Sequence, residues 1–579
     1  MKNYIVSIIF SDIADMLEIK GENFFKVRAY RKAARAIANL SEDIESLIET
    51  SSLANIEGIG KALEGKIREI VTSGTCAYYE KLKKEIPRGL VEMLKIPGLG
   101  AKRIRTIYEA LGITTIDELE QAAKQRKLRG LPGIGVKTEQ SILKGIQMLK
   151  GKMGKMLLST AFYVADEILE ILRSYSAVDK VDVAGSLRRK EELISDLDII
   201  VSSKDPVEIA DVVLAYPRIA EVLKRDENRL SVLLDLGIRV NVRVVEPRSF
   251  WIALHYYTGS REHNAKLFEI AQKKGLEFDE SCVVKKESGE LFYPESEEEI
   301  YGLLKMPFII PELRENKGEI EAALEDKLPN SIEVGDIRGD LHIHSNWSDG
   351  MNSIEEIAAK AREMGYEYVA ITDHSKSLKV ARGLDEERLF KQIELIKKLN
   401  KEIQGIKILT GIEVDILTND LLDFDDDVLK ELDVVIASIH SGFGQDREKI
   451  TQRIVKAMYN PYVNIIAHPT GRILGKRESY DVDIDVILKT AAETNTLLEI
   501  NSTPDRLDLN DNLARKAKEM GVKLVINTDT HELEGLKDIK YGVWVARRGW
   551  LEKEDVVNTR PLSQLLEIFN KKRMNGEKK

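Results

Sequence analysis

The stretch Ile337-Arg338-Gly339-Asp340-Leu341-His342-Ile343-His344-Ser345-Asn346-Trp347-Ser348-Asp349-Gly350 decides how the last third of this chain folds. Its alternating residues predict a strand, and alternation puts His342 and His344 on one face. A helical period follows from Ile354 to Met364, and the unit then recurs. Tyr368–Thr372 reads as a strand ending in Asp373-His374, and Ile406–Leu409 runs into Gly411-Ile412-Glu413-Val414-Asp415. Val434–Ile439 ends in His440, Val463–Ala467 in His468, Leu497–Ile500 in Asn501, and Leu524–Thr528 in Asp529-Thr530-His531. Strands alternating with helical patterns predict a parallel sheet. Its simplest closure is a barrel with the site at the carboxyl ends of the strands.

Six of the eight histidines lie between residues 342 and 531, and none occurs in the first 254. A single histidine is usually a satisfied core or surface side chain. Six at successive strand ends are not explained that way. With three acids they make nine candidate ligands: His342, His344, Asp349, His374, Glu413, His440, His468, Asp529 and His531. Imidazole and carboxylate without thiolate suit Mn, Zn or Fe. One ion takes about four to six ligands, so two or three ions are expected. Such a cluster supplies hydroxide and stabilises the oxygens of a phosphoester displacement. Arg472, in His468-Pro469-Thr470-Gly471-Arg472, is a candidate phosphate contact, with a core-facing or surface arginine as the equal alternative.

Working outward, 579 residues exceed one core and predict several domains. No apolar run reaches the roughly 18 residues that span a bilayer. The short run Ile5–Phe10, followed by Asp12 and Asp15, reads as a helix start and not a signal peptide. Two cysteines, Cys76 and Cys282, exclude a disulfide framework and a cysteine-based zinc site. A cytoplasmic monomer without membrane association is the expectation. The net charge of −10 divides unevenly: residues 1–155 carry +8 and the remainder −18. A basic segment on an acidic chain points to an anionic partner, or to a solvated helical surface.

Within that basic segment one pattern appears three times: Ile56-Glu57-Gly58-Ile59-Gly60-Lys61, Ile96-Pro97-Gly98-Leu99-Gly100-Ala101-Lys102 and Leu131-Pro132-Gly133-Ile134-Gly135-Val136-Lys137. Each Gly-apolar-Gly turn precedes a helical pattern and carries a lysine at or just after its second glycine. A helix that starts there points free N–H groups outward, where a phosphate oxygen can bind. The pattern resembles the helix–hairpin–helix element. That resemblance implies DNA-backbone contacts at Gly58, Gly60, Gly98, Gly100, Lys102, Gly133, Gly135 and Lys137, without sequence reading. Packing alone is the alternative.

The middle of the chain holds Val183-Ala184-Gly185-Ser186-Leu187-Arg188-Arg189 and Ser195-Asp196-Leu197-Asp198. Two strands are predicted, at Val181–Val183 and Asp196–Val201, with Asp196 and Asp198 facing the same way. Paired carboxylates repel unless a cation lies between them, the arrangement of a two-metal phosphoryl-transfer site. A Gly-Ser turn followed by arginines suits a triphosphate.

The Gly-Ser turn, the arginine pair and the Asp-x-Asp resemble DNA polymerase family X, the polymerase beta group, over residues 1–310. The resemblance continues at Tyr256-Tyr257-Thr258-Gly259-Ser260. It implies a nucleotide pocket at Gly185, Ser186, Arg189, Ser195, Tyr256, Tyr257, Gly259 and Asn264, with Mg or Mn at the palm acids. It also implies an abasic-site lyase role for Lys66, against the plain reading of a surface lysine. Three positions depart from the family. Asn241 stands where the third catalytic acid is expected, Ser195 replaces a glycine, and Phe268 stands where related bacterial chains carry arginine. An amide cannot accept the proton of a primer 3′-hydroxyl, so weak, altered or absent polymerisation is expected.

Residues 335–570 resemble the polymerase-and-histidinol-phosphatase (PHP) domain. The whole chain resembles bacterial and archaeal family X polymerases that end in one. The expected architecture is multidomain, with an α-helical helix–hairpin–helix region, an α+β nucleotidyltransferase palm with thumb, and a distorted (β/α)7 barrel. The expected divisions are 1–90 and 91–155 (helix–hairpin–helix), 156–250 (palm), 251–316 (thumb), 317–334 (linker) and 335–579 (PHP). The resemblance implies gap filling with deoxynucleoside triphosphates in base-excision repair, and 3′→5′ exonuclease or phosphoesterase action on gapped, nicked or 3′-blocked DNA. Two alternatives are a polymerase-impaired clamp that serves the nuclease, and a small-molecule phosphatase fused to a DNA-binding module.

Overall fold

The computed structural model describes residues 2–38, 44–49, 53, 59–94, 96, 99–152 and 155–576. The chain divides into two compact units, Met1–Met153 with Gly475–Glu478, and Gly154–Leu474 with Ser479–Lys579.

The first unit is helical, and one hydrophobic core runs through it from Val6 to Ile146. The hairpin glycines behave as turns that start helices. Gly60 precedes Lys61–Ser73, Gly100 precedes Ala101–Leu111, and Gly135 precedes Val136–Lys152. The residue between each glycine pair, Ile59, Leu99 or Ile134, is buried and anchors the turn. Gly60, Gly100, Gly133 and Gly135 lie at the surface, and a Cβ at any of them would meet no atom within 4 Å. Their backbone is therefore open to a large partner. Gly58 and Gly98 lie outside the described residues. Lys102 and Lys137 are exposed beside these turns.

The second unit begins with a five-stranded sheet in the order Lys180–Val183, Asp196–Ser202, Arg239–Val245, Arg229–Leu234, Ile219–Arg225. Helices Leu158–Arg173 and Pro206–Leu214 bury Leu197, Ile199 and Val201 on one face. The other face carries Asp196, Asp198 and Ile200. Helix Phe250–Thr258 packs over Ile200 and leaves the carboxylate end open. The thumb follows, with a small core built on Leu267, Val283, Ile300 and Tyr301. Arg188 of the palm reaches Glu297 of the thumb at 2.5 Å, and the thumb's Arg314 donates to the same carboxylate at 2.7 Å. These cations hold the buried Glu297 carboxyl far below its ordinary range against the cost of burial. His263 is spent on Glu319 and Tyr301, and His255 is fully buried.

The last segment is a barrel of seven parallel strands in sequence order. First and last strands adjoin, where His344 N–H donates to Thr530 O at 2.9 Å. The predicted strands recur with small shifts. Lys407–Asp415 is one continuous strand through Glu413, whereas Ile465–Ile466 is all that forms between Val463 and Ala467. Leu409, Ile436, Leu497 and Val525 share strand parity with Glu413, His440, Glu499 and Asp529. They form an apolar layer below the polar one, closed by Leu565 and Phe569 of helix Leu562–Gly576.

That helix buries Lys572, whose ammonium donates to Thr496 Oγ1 at 2.5 Å and to Val463 O. Burial pushes its pKa down to about 7. An unfolded lysine titrates near about 10.4. Below pH 7 both states are protonated and the burial cost is present in full. Between about pH 7 and 10 the unfolded chain binds more protons, so stability rises with pH, by as much as a few kcal/mol. Denaturant melts at pH 7 and pH 9 are expected to show that slope, and Lys572→Met is expected to flatten it. An equal slope in both proteins would refute the assignment.

Three barrel arginines meet three glutamates of the palm and thumb. Arg472 grips Glu192 with two bonds of 3.0 and 2.7 Å. Arg547 donates to Glu312 at 2.9 Å, and Arg548 donates to Glu315 at 2.9 Å and to Arg189 O at 2.7 Å. Arg472 is thus engaged by the palm.

Candidate metal centres

The nine predicted barrel ligands converge at the carboxyl ends of the strands. Eight of them form three overlapping groups whose ligand atoms lie within 4.8 Å of one another: His344, Asp349, His374 and His531; His342, His344 and Asp529; His374, Glu413 and His440. His468 joins them, with Nε2 at 3.1 Å from Glu413 Oε1. Glu413 is the hub. Its two oxygens lie 2.8–3.5 Å from ring nitrogens of His342, His344, His374, His440 and His468.

These atoms are close, yet several make no hydrogen bond. His342 Nε2, His344 Nδ1, His374 Nδ1, His468 Nδ1 and Glu413 Oε2 are buried without a hydrogen bond, although His374 Nδ1 and Glu413 Oε2 lie 2.8 Å apart. Buried polar atoms are rarely left so, which marks a donor set shaped for a shared cation. The charges agree. Against the cost of burial, imidazoles hold Glu413 and Asp529 well below the carboxylate range. His342 is driven well above its ordinary value by Asp529, Glu499 and Glu413, while burial and its neighbours His531 and His374 push His344 down to about 3. His468 and Asp529 hold left-handed backbones, with φ of 28° and 54°. That conformation costs of order 1–3 kcal/mol and persists where surroundings enforce it. The residues present fit a multinuclear centre of imidazole and carboxylate ligands.

Sequence reading missed the groups that orient these ligands. Fully buried Glu499 holds His342 Nδ1 at 2.7 Å and accepts from His468 N–H at 2.8 Å. Asp415 holds His440 Nδ1 at 2.9 Å. Asn501 donates to Asp529 Oδ2 at 3.0 Å. Buried Asp373 gathers Ser345, Ser348 and Gln392, fixing the loop that carries Asp349. Glu499 and Asn501 alternate with apolar residues on one strand, a signal that was available.

In the palm, Asp198 and Asn241 are register partners on parallel strands. Asn241 Nδ2 donates to Asp196 Oδ2 at 3.3 Å and to Asp198 Oδ1 at 3.1 Å, and Ser231 donates to Asn241 Oδ1 at 2.9 Å. The amide thus bridges the two carboxylates. Burial and Asp196 raise the pKa of Asp198, which Arg243 partly offsets. Two other nearby acids do not replace the missing one: Asp235 pairs with Arg218, and Glu246 with Arg248. Gly185, at φ 60°, backs onto the site, where a Cβ would lie 2.7 Å from Asp198 Oδ2. Ser186 follows it in a short helical turn, and Ser195 is exposed beside Asp196. Arg189 is spent on Thr258 O at 2.6 Å, Glu315 at 3.0 Å and Glu191. Tyr256 stacks on Phe268, Tyr257 lies under Arg243, and Asn264 donates to Tyr256 O beside the turn at Gly259. In the first unit, Lys66 donates to Ala62 O and shares the ring of Tyr78 with Lys26.

Comparison with known proteins agrees with this arrangement. Residues 1–76 match the helix-hairpin-helix domain, 90–148 the SAM-like helix-hairpin-helix tandem, 253–315 the DNA polymerase beta thumb, and 340–503 the PHP domain. A probable phosphatase of Thermoanaerobacter sp. (strain X514) is 32% identical over 38% of this chain and 89% of its own length. The DNA polymerase/3′-5′ exonuclease PolX of Bacillus subtilis (strain 168) is 44% identical over 97% of this chain and 98% of its own length. With a polymerase beta thumb, helix-hairpin-helix repeats and a PHP barrel in one chain, this protein belongs to the PolX family of DNA polymerase/3′-5′ exonucleases.

Proposed function

We propose that the chain extends primers across short DNA gaps at the palm and removes nucleotides or blocking groups from 3′ ends at the barrel. The observation that carries the second activity is the convergence of nine ligand side chains with orphaned buried atoms at the barrel mouth. His342, His344, Asp349, His374, Glu413, His440, His468, Asp529 and His531 would hold two or three ions, with Mn, Zn or Fe suited to this donor set. Bound there, such ions activate water and neutralise charge on a phosphodiester. The protein's own part is positional. Glu499 and Asp415 fix the orientation of His342 and His440, and Asp373 fixes the loop of Asp349. At the palm, Asp196 and Asp198 would hold Mg or Mn, and the Gly185-Ser186 turn would receive the triphosphate. The open glycine turns of the first unit support contact with DNA phosphates.

A specific observation favours a second reading, in which the barrel is the stronger activity. Asn241 donates to both palm carboxylates, where the family resemblance expects an acid that would bind cation and accept a proton. Incubating gapped DNA with Mg or Mn, with and without nucleotides, weighs the two. Shortening of 3′ ends without nucleotides and slow extension with them is the expected result. Hydrolysis of small phosphate esters without 3′-end shortening would replace the nuclease reading with a phosphatase one. A lyase step at Lys66 rests on resemblance, and borohydride trapping on an abasic site decides it.

A further inference from the structure

Arg506 follows the strand Leu497–Asn501 on a tight turn, its backbone N–H donating to Thr503 O at 2.8 Å. The side chain reaches back toward the barrel mouth and keeps 20% of its surface exposed. Its Nε lies 3.6 Å from Asp529 Oδ2, while Asp529 Oδ1 faces His344 at 3.1 Å and His342 at 3.4 Å. Asn501 already donates to Asp529 Oδ2 at 3.0 Å. The guanidinium charge also acts on Glu413 and on His440, which come from two other strands.

Two features argue against a purely structural role. A guanidinium that serves as the partner of a carboxylate takes it in paired bonds of roughly 2.7–2.9 Å. Arg506 stands off from Asp529 by 3.6 Å. Its Nη1 is buried and has no hydrogen-bond partner. Arg472, Arg547 and Arg548 show the contrast, each bonded closely to a glutamate. Arg506 therefore keeps an unused donor, Nη1, beside the ligand cluster, and a guanidinium's planar fork suits two oxygens of a phosphate.

We propose that Arg506 binds the non-bridging oxygens of the phosphate group presented to the barrel centre. It orients the 3′-terminal phosphodiester and holds the phosphate product. This rests on the phosphodiesterase reading of the barrel. Asn501, by fixing Asp529, keeps that carboxylate from drawing the guanidinium into a closed pair.

The test uses the full chain loaded with Mn, and inorganic phosphate and thymidine 5′-monophosphate as probes, measured by calorimetry beside metal analysis. Arg506→Gln and Arg506→Lys are compared with the natural chain. Weakening by about 10–100-fold in Arg506→Gln, with a smaller loss in Arg506→Lys and unchanged metal content and thermal midpoint, is the expected result. A matching rise in KM for a 3′-recessed oligonucleotide supports it further. Equal phosphate affinity in the natural chain and Arg506→Gln overturns the proposal. So does a loss in Arg506→Gln that follows lost metal and is restored by added Mn, since Arg506 would then be only a countercharge for Asp529. If the natural chain binds neither probe and shortens no 3′ end, the phosphodiesterase reading fails instead.

Discussion

Glu413→Gln is expected to lower release of 3′-terminal nucleotides by on the order of 10³-fold. The residue is fully buried, and its oxygens lie within 3.5 Å of five histidines from four strands. Glutamine keeps the shape but removes the charge that joins the groups around His342, His374 and His440. Charge stabilisation by such a centre is worth several kcal/mol, and each 1.4 kcal/mol is tenfold in rate. The matched control is Asp198→Ala, expected to abolish primer extension and leave 3′-end release near its natural level. Equal loss of release in both variants would place the nuclease elsewhere. Chelation offers a readout apart from activity. The natural chain is expected to lose thermal stability when divalent ions are removed, because like-charged and unpaired groups then share a dry site. Glu413→Gln is expected to show a smaller change.

The second large effect runs the other way. Asn241→Asp is expected to raise primer extension on gapped DNA by about 10²-fold or more, the typical worth of general-base assistance. The aspartate would replace a donor to Asp196 and Asp198 with a third acid, and Ser231 would still donate to it. Without divalent ions the variant is expected to be less stable near neutral pH, since Asp198 is already disfavoured as an anion by burial and by Asp196. Added Mg or Mn is expected to restore it. Fast extension by the natural chain, with no gain in the variant, would show that the amide is no handicap.

Strand alternation and the clustering of histidines made the barrel and its nine candidate ligands legible, because a parallel barrel gathers whatever stands at its strand ends. Period-two alternation also put Asp196 and Asp198 on one face. Contacts that depend on closure were not legible. Glu499 meets His342 across 157 positions, and Arg472 meets Glu192 across 280. No local pattern encodes such pairs. Arg472 illustrates the limit: beside His468 it reads equally as a phosphate contact or as a core-facing or surface arginine, and the structure pairs it with Glu192 of the palm. Arg506 had no motif to announce it, and its interest comes from an unpartnered atom that only packing reveals. For Asn241 the sequence marked the substitution but not that the amide donates to both acids.

The three arginine–glutamate joints between barrel and polymerase half bear on how such chains can be rebuilt. A barrel transplanted from a free-standing phosphatase would have to bring its own partners for Glu192, Glu312 and Glu315, or leave these partly buried acids without their barrel arginines. Glu315 also contacts Arg189, so a poorly matched graft would disturb the turn after Gly185-Ser186 as well as the seam. Exchange of whole modules is therefore expected to fail where exchange of the barrel together with residues 189–192 and 311–315 succeeds.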